Sequence, residues 1–427
     1  MLPITEYPSF LIEMKGYLES AFSNWHQVDN AMRYLTGLIV LPERKNVSQI
    51  NRSFVDCKDQ SSVNNFITDS TWSDREFHDM AIQVVKEQVD KQKIRKHAKL
   101  VIDDFLSEKS GEHIEGVGWY WDNSQHKSIL AHNIISSHYI AGTFHVPLDF
   151  DIYVKRKDCT DKSKFRTKME IAKELISKAK SYGLPISVVI FDSWYAGEKL
   201  INFIREDLRI EAYVTEEKSD RVVLSDDSKT EMSLSEFEKT IPRDKFRPVE
   251  IYTAILGKKE TFYAYCTPVR MKHLNGVKVK LVVSYRNGEL SVSGEPSFYI
   301  SNVMTWKSEK ILQTYAYRWS IEGFHRDAKQ SLGLEDYQLR KIQGVKRHVS
   351  MVFFAYIVLQ LSSGIGGKMM GNLKANLRTI GSRCRMAGTE VLSSFVRFVV
   401  KMAHRDMDAK RILQLLTQPL ERSGYWR

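Results

Sequence analysis

Residues Ile186–Asp192, ISVVIFD, followed by SWYAGEKLINFIRE as far as Glu206, decide how the middle of the chain folds. The first seven form a short, nearly continuous apolar and β-branched run, the pattern of a strand buried on both faces. The run closes on Asp192, and Ala196–Glu206 then reads as a helix. Strand, carboxylate, helix is the arrangement by which open α/β sheets hold a polar group in a crevice at a strand's C-terminal end. Asp192 also reads as an N-cap for the helix that follows, and both readings stand at this point.

Upstream, Ala98–Phe105, AKLVIDDF, is a second buried-strand pattern that ends on Asp103 and Asp104. Two carboxylates after an apolar run are costly inside a core unless they are paired or bind an ion. Strand side chains alternate, so only one of the two can face a given site. Ile134–Ile140 and Thr143–Val154 are strand-like, with Gly142 at the turn between them. His138 and His145 lie on these strands and read as packed residues. Ser163–Ala179 is a basic amphipathic helix, and Ile210–Val214 is a further short strand.

Downstream the periodicity falls to two. Val222–Leu224, Pro248–Leu256, Thr261–Cys266, Val277–Tyr285 and Ser297–Ser301 read as strands, with turn residues at Gly257, Asn275–Gly276 and Asn287–Gly288. Lys258, Lys259, Lys272, Lys278 and Arg286 lie in this region, and lysines along a sheet edge guard against edge pairing. Tyr315–Lys329, YAYRWSIEGFHRDAK, then reads as one helix. On it Arg318, Glu322 and Lys329 fall within about 60° of Tyr315. As a bare pattern this is a solvated face with an Arg318–Glu322 pair four residues apart.

The spacing Y-x2-R-x3-E-x6-K resembles the signature of DDE transposases of the insertion-sequence-four type, matched by Tyr315, Arg318, Glu322 and Lys329. The resemblance implies two aspartates and a glutamate that hold two Mg²⁺ or Mn²⁺ ions. Alignment on the apolar runs gives Asp104, Asp192 and Glu322, with Asp103 as the alternative first carboxylate. Phe105 stands where that family usually has a small polar residue. Tyr315, Arg318 and Lys329 are then DNA-binding. The implied reaction cuts phosphodiesters at transposon ends with activated water and joins the freed 3′-hydroxyl to target DNA. A metal-dependent nuclease without strand transfer, or a non-catalytic DNA-binding descendant, is the alternative.

Three strands, a helix, a strand and a helix is the order of an RNase H-like core. The expected fold is therefore α/β and multidomain: an RNase H-like mixed sheet interrupted by a β-rich insertion, with helical terminal regions. The divisions read as 1–95 (helical, DNA-binding), 96–216 (core, first half), 217–303 (β insertion), 304–365 (core, second half, with the Glu322 helix) and 366–427 (basic, helical).

In the first region Phe10–Phe22, Trp25–Leu38 and Ser73–Gln92 have helical spacing, and Ser73 with Glu76 forms a capping-box pattern. Val47–Phe54 and Ser61–Ile67 suit a helix-turn-helix unit whose second helix carries Ser62, Asn64 and Asn65.

The net charge is +11 over 427 residues. Residues Gln338–Arg427 hold sixteen Lys and Arg against four Asp and Glu, so the basic excess sits in the last fifth of the chain. That placement points to a polyanion partner, expected to be DNA. Four scattered cysteines without metal-ligand spacing suit a reducing compartment. The first residues show no secretory pattern, and Met351–Leu361 is short of the ~20 apolar residues that span a bilayer. The expectation is a cytoplasmic, nucleoid-associated bacterial protein with no membrane contact, acting as a homodimer on transposon ends and target.

Overall fold

The computed structural model describes residues 3–94, 97–111, 113–142, 144–159, 161–224, 231–253, 258–286, 294–361, 379–405 and 407–414. The N-terminal region is helical: α1 (Ser9–Glu13), α2 (Lys15–Ala21), α3 (Trp25–Val40), α4 (Val47–Arg52), α5 (Gln60–Thr68) and α6 (Asp74–Lys91). Then come β1 (Lys99–Glu108), β2 (Gly118–Asp122), β3 (Lys127–Ala141), β4 (Phe144–Tyr153), α7 (Lys168–Ser181), β5 (Val188–Phe191), α8 (Glu198–Asn202) and β6 (Ala212–Glu217). They are followed by β7 (Val222–Leu224), β8 (Glu231–Ser233), α9 (Leu234–Lys239), β9 (Arg247–Thr253), β10 (Lys258–Met271), β11 (Val277–Arg286) and β12 (Ser297–Ser301). The described chain closes with α10 (Ser308–Tyr315), α11 (Trp319–Ser331), α12 (Ile342–Leu361) and α13 (Ile380–Ala403). The turns expected at Gly257 and Asn287–Gly288, and much of the basic region after 366, lie outside the described residues.

The chain forms two compact units. One comprises residues 1–91, 106–133 and 325–427; the other comprises 92–105 and 134–324. In the first, α3 and α12 are buried along nearly their whole length. Phe22, Phe66, Trp72, Phe77 and Phe354 form an aromatic cluster with ring centroids 5.3–5.8 Å apart. Arg347 is buried and satisfied, donating to Asp74 at 2.8 Å and to the carbonyls of Ile67, Ser70 and Trp72. Ser73 Oγ accepts from the Glu76 amide at 3.2 Å, as its cap position requires. Gly333 ends α11 with φ +68, and the amides of Leu332 and Leu334 return to the Ala328 carbonyl. No described helix is long and apolar enough to cross a membrane.

The second unit is built on a large mixed sheet, in which β4, β3, β1, β5 and β6 are neighbours in that order. β1, β5 and β6 run parallel. The later strands continue this sheet: β12 pairs antiparallel with β6, β11 with β12, and β10 with β11, while β9 and β7 pair with β10. Asn275 and Gly276, both at positive φ, turn the chain into β11, and Gly142 at φ +64 precedes β4. β5 is buried at every residue, as its unbroken apolar run requires.

Three departures from the sequence expectation bear on the site. β1 runs on past the two aspartates to Glu108. α8 is shorter than expected and passes into a π turn at Phe203–Asp207, closed by the Leu208 amide on the Phe203 carbonyl at 2.9 Å. Tyr315–Lys329 is not one helix, because a 3₁₀ turn at Ala316–Arg318 separates α10 from α11. Ser320 Oγ takes the Tyr317 carbonyl at 2.6 Å, competing with the main-chain ladder there. A 3₁₀ turn advances about 120° per residue, so Tyr315 and Glu322 no longer keep the phase of a continuous α-helix.

Candidate active site

The site lies in the second unit and follows from strand register. Ile102 pairs with Phe191, and Phe191 pairs with Thr215. One residue beyond these paired positions come Asp103, inside β1, Asp192, just past β5, and Glu216, near the end of β6, which therefore form a row across the three neighbouring strands. Alternation puts them on the face of Val101, Ile190 and Val214, apolar residues that share a core with Ile311, Leu312, Tyr315 and Ala316. Asp104 faces the other way. Its Oδ2 accepts from Lys168 Nζ at 2.8 Å and its Oδ1 from Tyr195 Oη at 3.1 Å.

Arg318, in the 3₁₀ turn, joins the carboxylates. Its Nη1 donates to Asp103 Oδ2 at 2.7 Å and its Nη2 to Glu322 Oε1 at 2.5 Å, while its Nε is buried with no hydrogen-bond partner. The Asp103 side chain is 12% exposed and that of Glu322 is 47% exposed, so the bridge links a buried acid to one open to solvent. Tyr315 Oη donates to Glu216 Oε2 at 3.0 Å. Asp192 is not the N-cap of α8, a position held by Gly197. Its Oδ1 accepts from the Trp194 amide at 3.0 Å, which fixes the turn after β5.

Burial pushes the Asp103 carboxyl up to about 7; Arg318 opposes this, and the negative charges of Asp192 and Asp104 reinforce it. Burial also raises Asp192 above the usual carboxylate range, against Arg318 and with Asp104. Glu216 is raised by burial, against its Tyr315 hydrogen bond and Arg318 and with the charges of Asp192 and Glu322. Burial disfavours the Arg318 charge, but Tyr315, Asp103, Glu322 and Asp192 more than offset it. Burial thus favours the protonated forms of three acids gathered around one guanidinium.

With this geometry in hand, the comparison with known families decides the class. Residues 18–233, half of the chain, match the DDE superfamily endonuclease family. The chain belongs to that superfamily. The match holds Asp103, Asp104, Asp192 and Glu216 of this DDE endonuclease and ends before Tyr315, Arg318 and Glu322. A probable transposase for insertion sequence element IS701 from Microchaete diplosiphon is 28% identical over 203 residues, 47% of this chain and 52% of the relative. The chain thus spans about half the length of the curated relative it matches. Among solved structures, the piggyBac transposase synaptic complex with hairpin DNA aligns at TM-score 0.48 and 11% identity, over 93% of this chain and 76% of that one. The NurA nuclease from Sulfolobus solfataricus aligns at TM-score 0.22 and 11% identity, over 69% of this chain and 95% of that one.

Superfamily members typically use divalent metal. Carboxylates are hard oxygen donors suited to Mg²⁺ or Mn²⁺. Asp103, Asp192 and Glu322 are the residues that fit such an ion chemically. Among the described residues no group of three or more His, Cys, Asp or Glu is gathered at ion-binding spacing. The guanidinium of Arg318 pairs with both Asp103 and Glu322.

Lys329 falls in the other unit, where its Nζ lies 2.8 Å from Glu335 Oε1 and donates to the Leu106 carbonyl at 3.1 Å. Trp306 and Trp319 pack on the core, whereas Trp194 is half exposed beside Tyr195 and Lys168. Glu216 is the acid that sequence reasoning missed. The alternation Ala212, Val214, Glu216 carries it, provided the strand runs two residues past Val214.

Proposed function

We propose that the chain is the transposase of a bacterial insertion sequence. It cuts phosphodiesters at the element's ends and joins the freed 3′-hydroxyl to target DNA. One observation carries the reading: Asp103 and Asp192 each follow the last paired residues of two parallel strands, and the arginine that holds Asp103 also holds Glu322. Asp103, Asp192 and Glu322 are the carboxylates we assign to catalysis. The sequence pattern alone favours Asp104, but register favours Asp103, since Asp104 is engaged by Lys168 and Tyr195 on the opposite face.

Two bound Mg²⁺ or Mn²⁺ ions would supply Lewis-acid stabilisation of the attacking and leaving oxygens. The protein's own groups align the strand. Arg318, with a planar fork and an unused Nε–H, would exchange carboxylate for phosphate, for which its geometry is equally suited. Tyr315 would steady that arginine, and Lys329 would contact the DNA backbone.

The neighbour order β4, β3, β1, β5, β6 supports an RNase H-like core in 96–216 and 304–365, flanked by a DNA-binding region at 1–95, the β insertion at 217–303 and a basic region from 366 to 427. Exposed Asn64 and Asn65 on α5 support DNA contact by the first region. Leu392, Val396 and Val400, about half exposed on α13, support a homodimer.

The test is incubation with Mg²⁺ or Mn²⁺, a target plasmid, and a duplex from the DNA flanking the gene, 5′-labelled on the strand that would carry the freed 3′-hydroxyl. Label joined to plasmid supports the transposase. Cleavage without joining supports a nuclease on the same fold. Neither product, with DNA bound, leaves a DNA-binding protein.

A further inference from the structure

Glu216 is the third carboxylate of the row, yet it makes no contact with Asp103 or Glu322 in the hydrogen-bond pattern of the site. It lies half-buried at the end of β6. It accepts a hydrogen bond from the phenol of Tyr315, the last residue of α10, and Tyr299 is its antiparallel neighbour on β12. Tyr315 is 6% exposed, and its ring stacks obliquely on Tyr299 with centroids 4.7 Å apart. The Arg318 guanidinium carbon stands 5.8 Å from the centre of the Tyr315 ring. Glu216, Tyr299, Tyr315, Arg318 and Trp319 together line a cavity of about 360 Å³ beside the carboxylates.

The junction between α10 and α11 is where the helical phase changes, and Arg318 is part of that junction. A 3₁₀ turn is short and weakly held by its own hydrogen bonds. Two strands grip it. Asp103 holds Arg318 directly, and Glu216 holds the residue that precedes the turn. We infer that Glu216 is a positioning residue: by accepting the Tyr315 hydrogen bond it fixes the turn, and so aims Arg318 along the catalytic carboxylates. This rests on the nuclease chemistry proposed above. The role needs an acceptor oxygen and not a negative charge, so glutamine should serve and alanine should not.

The experiment is a double-mutant cycle on metal-dependent plasmid nicking by the full chain, with E216A, E216Q, Y315F and E216A/Y315F. DNA affinity is measured in parallel by anisotropy, and thermal unfolding without metal. Loss of one hydrogen bond justifies an expected loss on the order of 10-fold in nicking rate for E216A and Y315F. The double variant should lose no more than either single one, because both remove the same contact. E216Q should stay within about 3-fold of wild type, and DNA affinity should change less than nicking rate. Additive losses, or E216Q as impaired as E216A, overturn the inference while leaving the nuclease reading intact. A wild-type protein that nicks under neither cation overturns the nuclease reading, and the positioning role falls with it.

Discussion

Arg318 donates to Asp103 at 2.7 Å across 215 residues of sequence, and the same guanidinium reaches Glu322 four residues on in its own chain segment. A local pair that reads as an ordinary surface salt bridge is thus one half of a long-range contact with a buried acid of β1.

Removing the arginine leaves Asp103 buried beside Asp192 without its counter-charge. R318A should lose stability by about 3 kcal/mol, the scale for breaking a buried pair from one side. Thermal unfolding should show R318A/D103N to be more stable than R318A, because the double variant removes the orphaned acid as well. Equal stability of the two would mean that the pair does not hold the turn.

Arg318→Lys keeps the charge but loses the planar fork. A lysine ammonium reaches one carboxylate at a time, so the bridge between Asp103 and Glu322 breaks. Nicking by R318K should fall on the order of 10-fold or more, with thermal stability closer to wild type than that of R318A. Nicking kinetics and melting curves on the same preparations check this.

In the helical unit, His348 is fully buried, with Nδ1 2.8 Å from Tyr34 Oη and Nε2 3.0 Å from the Gly333 carbonyl. Burial holds its pKa down to about 3, and burial likewise lowers His132 to about 4. Both are neutral when folded and protonate more readily when unfolded, so the unfolded state binds more protons below the ordinary histidine value. Stability should therefore fall as pH drops from about 6.5 toward 4, with a slope of up to about 1.4 kcal/mol per pH unit for each histidine. Melting temperature against pH should be flatter over that window in H348N, even if the variant is less stable at pH 7.

Gly333 combines φ +68 with a close approach to Lys45, whose Cβ would lie 2.7 Å from an added methyl. Its carbonyl also accepts from His348. Gly333→Ala should destabilise by about 2 kcal/mol or more, through left-handed backbone strain and the clash together. Gly16, with nothing near its position, is the control: Gly16→Ala should be neutral or stabilising in the same denaturant titration.

The sheet was legible where one period dominates. ISVVIFD gives β5, and Ser297–Ser301 gives β12 at the residues expected, because buried strands need unbroken or alternating apolar side chains. The acids were legible as types but not as faces. AKLVIDDF offers Asp103 and Asp104 equally, and only pairing with β5 decides which one joins the face of Asp192. The break between α10 and α11 was hidden because every residue from Ala316 to Ser320 tolerates helix. What breaks it is a serine back-bond and two tertiary grips, from Asp103 and Glu216, which no local pattern encodes. Glu216 stayed unseen for the same reason, since its meaning lies in a neighbour ninety-nine residues away.

The most direct test of the account is supercoiled-plasmid nicking in Mg²⁺ and in Mn²⁺ by wild type, D103N, D104N, D192N and E322Q, each shown to be folded by its melting curve. D103N, D192N and E322Q should each lose at least about 100-fold in rate, as expected for groups that act as a unit, with D104N clearly less impaired. Nicking that survives in E322Q or D192N, or that is lost in D104N but kept in D103N, would contradict the carboxylate row as the seat of the chemistry.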